Sequence, residues 1–122
     1  MRNIIDKYAG LPFEYGADCC AFAAECIESL TGRNPISDLV YANEREAYKI
    51  IKQHGGMESA ICHYLGEPYD GHQDGDVCLI DANDGRKAAA VIYRDRVVAR
   101  VENGLVDYPL DRAIKVWKCQ AR

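Results

Sequence analysis

The chain contains no apolar run that approaches the roughly 18 residues a membrane span needs, and its start, "MRNIIDKYAG", has no apolar core of the kind a secretory signal carries. Both absences predict a protein that folds in a cytosol and is not exported by a signal peptide. Charge of one sign is not concentrated anywhere either. The 15 basic and 19 acidic residues give a net charge of −4, with the acidic ones spread from Asp6 to Asp111. Such a chain has no electrostatic footprint for nucleic acid. The closing "DRAIKVWKCQAR" carries Arg112, Lys115, Lys118 and Arg122, which read as the wet face of a strand. There is no internal repeat, low-complexity stretch or linker. With 48% hydrophobic and 28% charged residues, the 122 residues read as a single domain, 1–122.

Cysteine is plentiful, at six residues, but the spacings that would explain it are missing. No Cys-x-x-Cys or His-x3-His pairs Cys19, Cys20, Cys26, Cys62 and Cys78 with His54, His63 and His72 into a zinc site, even though "ICHY" puts Cys62 beside His63. We therefore expect no metal and no cofactor. In a cytosol thiols stay reduced, and the neighbours Cys19 and Cys20 could bridge only through a strained ring, so a disulfide framework is not expected either. Most of the cysteines then serve as small core residues.

What is present has an α+β order: helical periodicity in the first half, strand periodicity in the second, with the change in "GEPYDGHQDGD" (Gly66 to Asp76). A short helix is predicted over Arg2 to Tyr8, ending at Gly10. The main helix begins after Asp18, an N-cap residue, and runs to Leu30 with Gly32 as its stop. Its apolar positions Cys19, Phe22, Ala23, Cys26, Ile27 and Leu30 recur at steps of three and four on one face. A third helix fits "NEREAYKIIKQHGG", with Asn43 and Glu46 as the halves of a capping box, and a fourth covers Met57 to Leu65. From Asp76 the segments "DVCLID", "KAAAVIY", "VVARVE", "LVDYPL" and "IKVWKC" alternate with short turns. They predict an antiparallel meander of about five strands on which the helices pack.

The chemistry concentrates at "GADCC". A thiol in the first turn of a helix sits in the field of unpaired backbone N–H groups and of the positive dipole end, which lowers its pKa and favours the nucleophilic thiolate. Cys19, directly after the Asp18 cap, has that position. A cysteine nucleophile normally works with a histidine that takes its proton and later protonates the leaving amine. Position alone favours the plainer reading, a thiol that packs under the sheet beside Cys26. Tyr15, Tyr41, Tyr64, Tyr69, Tyr93 and Tyr108, among eight tyrosines, could line a groove or cover the core with wet hydroxyls.

"PFEYGADCCAF", then the helices, then "DGDVCLI" and "AAVIY", resembles the NlpC-type cell-wall peptidases, papain-like cysteine hydrolases, from about Leu11 to about Val116. It is similar in particular to small phage-encoded relatives of uncharacterised function that keep "G-x-D-C" and "G-D-V". The resemblance implies a papain-like α+β fold with the nucleophile at Cys19 after Asp18, and identifies "DGDV" (Asp74 to Val77) as the loop entering the first strand. It also implies a base histidine opening the second strand, where this sequence has Ala89. The third polar group would fall near Ala99 or Arg100, neither of which can orient an imidazole as an acceptor, and the family's tyrosine falls on Phe13. The substitute base left is His72, in a loop that in the papain-like arrangement enters at the far end of the strand from the thiol. His54 and His63 belong to helices.

The function this implies is a non-catalytic, phage-derived NlpC-like protein with a degenerate peptidase site, a tail or tail-tip assembly component that meets phage tail proteins. It would lie in the host cytoplasm during assembly and then in the virion tail. One alternative is an active cysteine amidase or endopeptidase on peptidoglycan peptides, with Cys19 as nucleophile, a helix N-terminal N–H as oxyanion donor and His72 or a partner chain's histidine as base. Another is a small inhibitor or adaptor that binds a host protein.

Overall fold

The computed structural model describes residues 2–10, 18–36, 41, 44–81, 86–101 and 104–119. Four helices, α1 (Arg2–Ala9), α2 (Cys19–Thr31), α3 (Glu44–Gln53) and α4 (Met57–Leu65), precede five strands. These are β1 (Val77–Asp81), β2 (Lys87–Tyr93), β3 (Arg96–Val101), β4 (Gly104–Pro109) and β5 (Lys115–Trp117), with a 3₁₀ turn at Leu110–Arg112 before the last. The α+β order read from the sequence is the order of the fold. The Asn43 cap, Phe13 and Tyr15 lie outside the described residues.

Local signals explain where α2 begins and ends. Asp18 has extended backbone angles and its Oδ1 accepts the Ala21 N–H at 3.0 Å, while Gly32 takes φ +81 and donates its N–H to the Glu28 carbonyl at 2.8 Å. The two-residue link between β2 and β3 is equally specific. Arg94 and Asp95 both have positive φ, 52 and 59, the requirement of a type I′ hairpin turn whose twist matches that of the strands.

The sheet is antiparallel in the order β4-β3-β2-β1-β5, so the expected five-strand meander holds only for β1 to β4. β5 returns to the opposite edge and pairs with β1, Val77 facing Trp117 and Cys78 facing Val116. Pro109 and the 3₁₀ turn interrupt the hairpin pattern there, and the chain cannot simply fold back on β4. The six residue steps from Pro109 to Lys115 reach about 16 Å with the turn included, whereas the edges of a flat five-stranded sheet stand about 19 Å apart. The sheet must therefore curl.

Curling buries both of its faces. On one, Val77, Leu79, Ala89, Val91 and Trp117 pack against Tyr8, Phe22, Cys26, Ile27 and Ile61 of the helices. On the other, Cys78, Ile80, Ala90, Ile92, Val97 and Ala99 are covered by Val106, Tyr108, Leu110 and Val116 of the sheet's own edges and the turn between them. The near-continuous apolar reading of β1 and β2 follows from this double burial. Of the cations in the closing segment, Arg112 lies over the Tyr108 ring, Lys115 pairs with Glu58 at 3.3 Å and Lys118 lies over Tyr69; Arg122 is outside the described residues.

Two buried polar hubs fasten loops to this frame. Asp76, fully buried, accepts hydrogen bonds from the Tyr69 hydroxyl, from the Gln73 N–H at 3.0 Å and from the Cys119 N–H at 3.2 Å. Its own carbonyl receives the Ile92 N–H at 2.8 Å. The second aspartate of "DGDV" is thus the knot between the incoming loop, β2 and the end of β5.

Arg100, 8% exposed, is the other hub. It donates to the carbonyls of Tyr8 and Gly104, each at 3.1 Å, and lies 5.1 Å from the centroid of the Tyr8 ring. This draws the end of α1 against the β3–β4 turn so closely that a Cβ on Gly104, which has φ +146, would stand 2.3 Å from the Ala9 carbonyl oxygen. Gly104→Ala is expected to destabilise the fold by about 2–4 kcal/mol and lower Tm by about 10 °C or more. A thermal melt of the variant within two degrees of wild type would show that α1 is not held this closely.

Candidate functional site

The start of α2 abuts the start of β2, and Cys19 faces Ala89 there. The Cys19 thiol is pulled below the ordinary thiol range, first by the hydrogen bond from the Cys20 side chain and then by the Ala89 and Cys20 backbone N–H groups; burial and the Asp18 carboxylate oppose the shift. The Cys20 thiol moves the opposite way, well up, because it spends its proton on Cys19 and because partial burial disfavours its charged form. Only one of the pair is set up to ionise. Both are free and partly exposed.

These thiols form one end of a cavity of about 560 Å³ between α2, α3, α4 and the first residues of β2. Asp18, Tyr41 and Arg100 share that end, while Ile27, Ile50, Ile51, Ile61 and Leu65 build apolar walls. The Tyr41 hydroxyl donates to Asp18 Oδ1 at 2.9 Å, and burial, followed by Asp18, pushes it well above the usual phenol range. At the rim, Arg86 lies 4.8 Å from the Tyr48 ring centroid and Lys87 is paired with Asp81.

No imidazole faces the cavity. His72 stands at the β2–β3 turn, its Nε2 3.5 Å from Asp95 Oδ1, in a loop tied there by Gly75 N–H to Ile92 and by Asp74 to the Arg94 N–H. Four residues of β2, about 13 Å, separate that turn from Ala89, so the structure does not bring His72 to Cys19. His54 and His63 stack on each other at 4.4 Å between centroids and on Tyr64, outside the cavity lining. Ala99 faces the other side of the sheet, which leaves Arg100 as the residue of that pair at the site. Among the described residues no group of three or more His, Cys, Asp or Glu converges as a metal ligand set, and none of their helices is long and apolar enough to cross a membrane.

A family model described as a domain of unknown function, DUF6950, matches residues 1–119. The chain belongs to that family. No curated protein matches it.

Within this DUF6950 chain only some of the described tyrosines share a groove. Tyr41 and Tyr64 line the cavity together with Tyr48, which the sequence reading did not single out, whereas Tyr69 serves Asp76 and Tyr108 covers the far face of the sheet. Tyr48, Arg86 and Lys87 belong to the site only because α3 lies across the start of β2, and no local pattern announces that packing.

Two of the buried thiols give the fold a pH dependence. Burial pushes both Cys26 and Cys78 up to about 12, against about 8.5 in an unfolded chain. The folded state holds protons that the unfolded state releases, so this stability is fully present below pH ~8.5 and is lost as pH rises towards 12. Each thiol contributes a slope of up to about 1.4 kcal/mol per pH unit in that window. Urea midpoints are expected to fall steadily between pH 8 and pH 10.5; midpoints that stay level across that range would contradict the assignment.

Proposed function

We propose that this protein is a papain-like, NlpC-type chain that keeps the seat of the nucleophile but not the base, and that it acts by contact rather than hydrolysis, as a phage tail or tail-tip assembly component. The observation that carries the loss of activity is the pairing of Cys19 with Ala89: a backbone N–H and a methyl group stand beside the thiol where the resemblance calls for an imidazole. Hydrolysis of an amide needs the leaving nitrogen to be protonated as the tetrahedral intermediate collapses, and none of the described residues at this end of the cavity is placed to supply that proton as a histidine would. Arg100 is committed to the Tyr8 and Gly104 carbonyls and cannot act as a base. The phage setting is supported by the resemblance of "PFEYGADCCAF" and "DGDV" to the small phage-encoded relatives.

Incubated with peptidoglycan and its stem peptides, the purified protein is expected to release no new amines above the level of a Cys19→Ala variant. In lysates of phage-producing cells it is expected to sediment with tails or tail intermediates. Turnover abolished by Cys19→Ala would instead establish the second reading, a cysteine hydrolase completed by a partner chain's histidine. The lowered Cys19 thiol favours that reading, since it supplies a nucleophile without a base in the same chain.

A further inference from the structure

The polar end of the cavity holds an acceptor that no described residue satisfies. Asp18 is 5% exposed; its Oδ1 receives both the Ala21 N–H and the Tyr41 hydroxyl, while Oδ2 is buried without a hydrogen-bond partner among the described residues. A helix cap needs only one carboxylate oxygen, and a buried acceptor left empty carries a desolvation cost that a donor would remove. Below it the walls are aliphatic and aromatic, in a volume typical of small-molecule sites.

Charge selects the donor. Asp18 and the ionisable Cys19 place negative charge at this end, whereas the Arg100 guanidinium is already engaged by two carbonyls and the Tyr8 ring. At the rim, Lys87 is paired with Asp81 and Arg86 rests on Tyr48.

We propose that the cavity binds an apolar primary amine, its ammonium on Asp18 beside Cys19 and its hydrocarbon body between α2, α3 and α4. Oδ2 is closed to solvent, so the ammonium is received as the carboxylate turns its free oxygen into the cavity. Such a ligand covers the Cys19 thiol. This stands apart from the assembly role: peptide turnover would sink that reading and leave the ligand untouched.

The test is isothermal titration of the full chain with octylamine, octan-1-ol and octanoate, all below their aggregation concentrations, with alkylation of Cys19 followed in parallel by mass spectrometry. Octylamine is expected to bind one to one and to slow Cys19 alkylation, octanol to bind about tenfold more weakly, and octanoate more weakly still. Asp18→Asn keeps the cap, since asparagine caps as well as aspartate, but can present an N–H₂ where Oδ2 stood; it is expected to cost octylamine about tenfold in affinity and to bring octanoate level with it. Equal affinity for all three probes would overturn the ammonium site in favour of a merely greasy cavity, and so would absence of octylamine binding. Ile51→Trp, which fills the cavity from α3, should abolish binding of every probe; octylamine retained at wild-type affinity in that variant would place it elsewhere and overturn the proposal even if Asp18→Asn fails to fold.

Discussion

Asp76→Ala is expected to destabilise the protein by about 3–5 kcal/mol, enough to leave a domain of this size largely unfolded or close to it. The side chain is fully buried and receives three donors: the Tyr69 hydroxyl, the Gln73 N–H and the Cys119 N–H. Removing it strands all three, and each buried donor without a partner costs about 1–3 kcal/mol. The loss would fall on three elements at once, because Gln73 belongs to the incoming loop, Tyr69 bridges through its N–H to Val116 of β5, and Cys119 follows Trp117 of β5. Tyr69→Phe, which removes one donor and leaves Asp76 its other two, is expected to cost about 1 kcal/mol. Urea unfolding of both variants checks the pair; an Asp76→Ala midpoint no lower than that of Tyr69→Phe would mean that the loop is held by something else.

Cys19 is expected to be alkylated by iodoacetamide before any other cysteine of the folded protein, with a midpoint below the ordinary thiol value of about 8.5. Three donors converge on its sulfur, from the Cys20 thiol and the Ala89 and Cys20 N–H groups, and the first turn of α2 adds its dipole. Cys20, whose thiol is pushed well up, should react far more slowly, and Cys26 and Cys78, fully buried, only on unfolding. The same thiolate should accept one acyl equivalent from p-nitrophenyl acetate, since nitrophenolate leaves without being protonated, while amides remain uncleaved. A burst of one equivalent without steady turnover is the expected trace. Two results would refute the activated seat: a Cys19 that alkylates no faster than Cys62, or one whose rate rises only above pH 8.5.

The two predictions separate what the sequence landmarks do. "G-x-D-C" seats a thiol at one end of a cavity, whereas the aspartate of "G-D-V" acts as a fastener of the fold. The buried side-chain partners show two different tasks.

Legibility followed the range of the forces involved. Asp18 and Gly32 bound α2 because a cap and a left-handed stop are interactions within one turn, and Met57–Leu65 could be placed between two glycines for the same reason. The Cys19 seat was legible too, since helix position is local. His72 could be kept only as a weak base from sequence; its tie to the β2–β3 turn depends on Asp74 and Asp95 meeting Arg94 and the imidazole across the loop, an encounter no spacing encodes.

The sequence by itself therefore determined the α+β order, the ends of α2 and the thiol at its first turn, all of which depend on residues within a few positions of one another. Tertiary structure alone decided that β5 crosses to the edge of β1 and curls the sheet, that Arg100 turns from a candidate catalytic position into a clamp on α1, and that α3 and α4 close a cavity over Cys19. Those outcomes depend on chain segments tens of residues apart competing for the same buried surface, and which pairing buries most is settled only when the whole chain is packed.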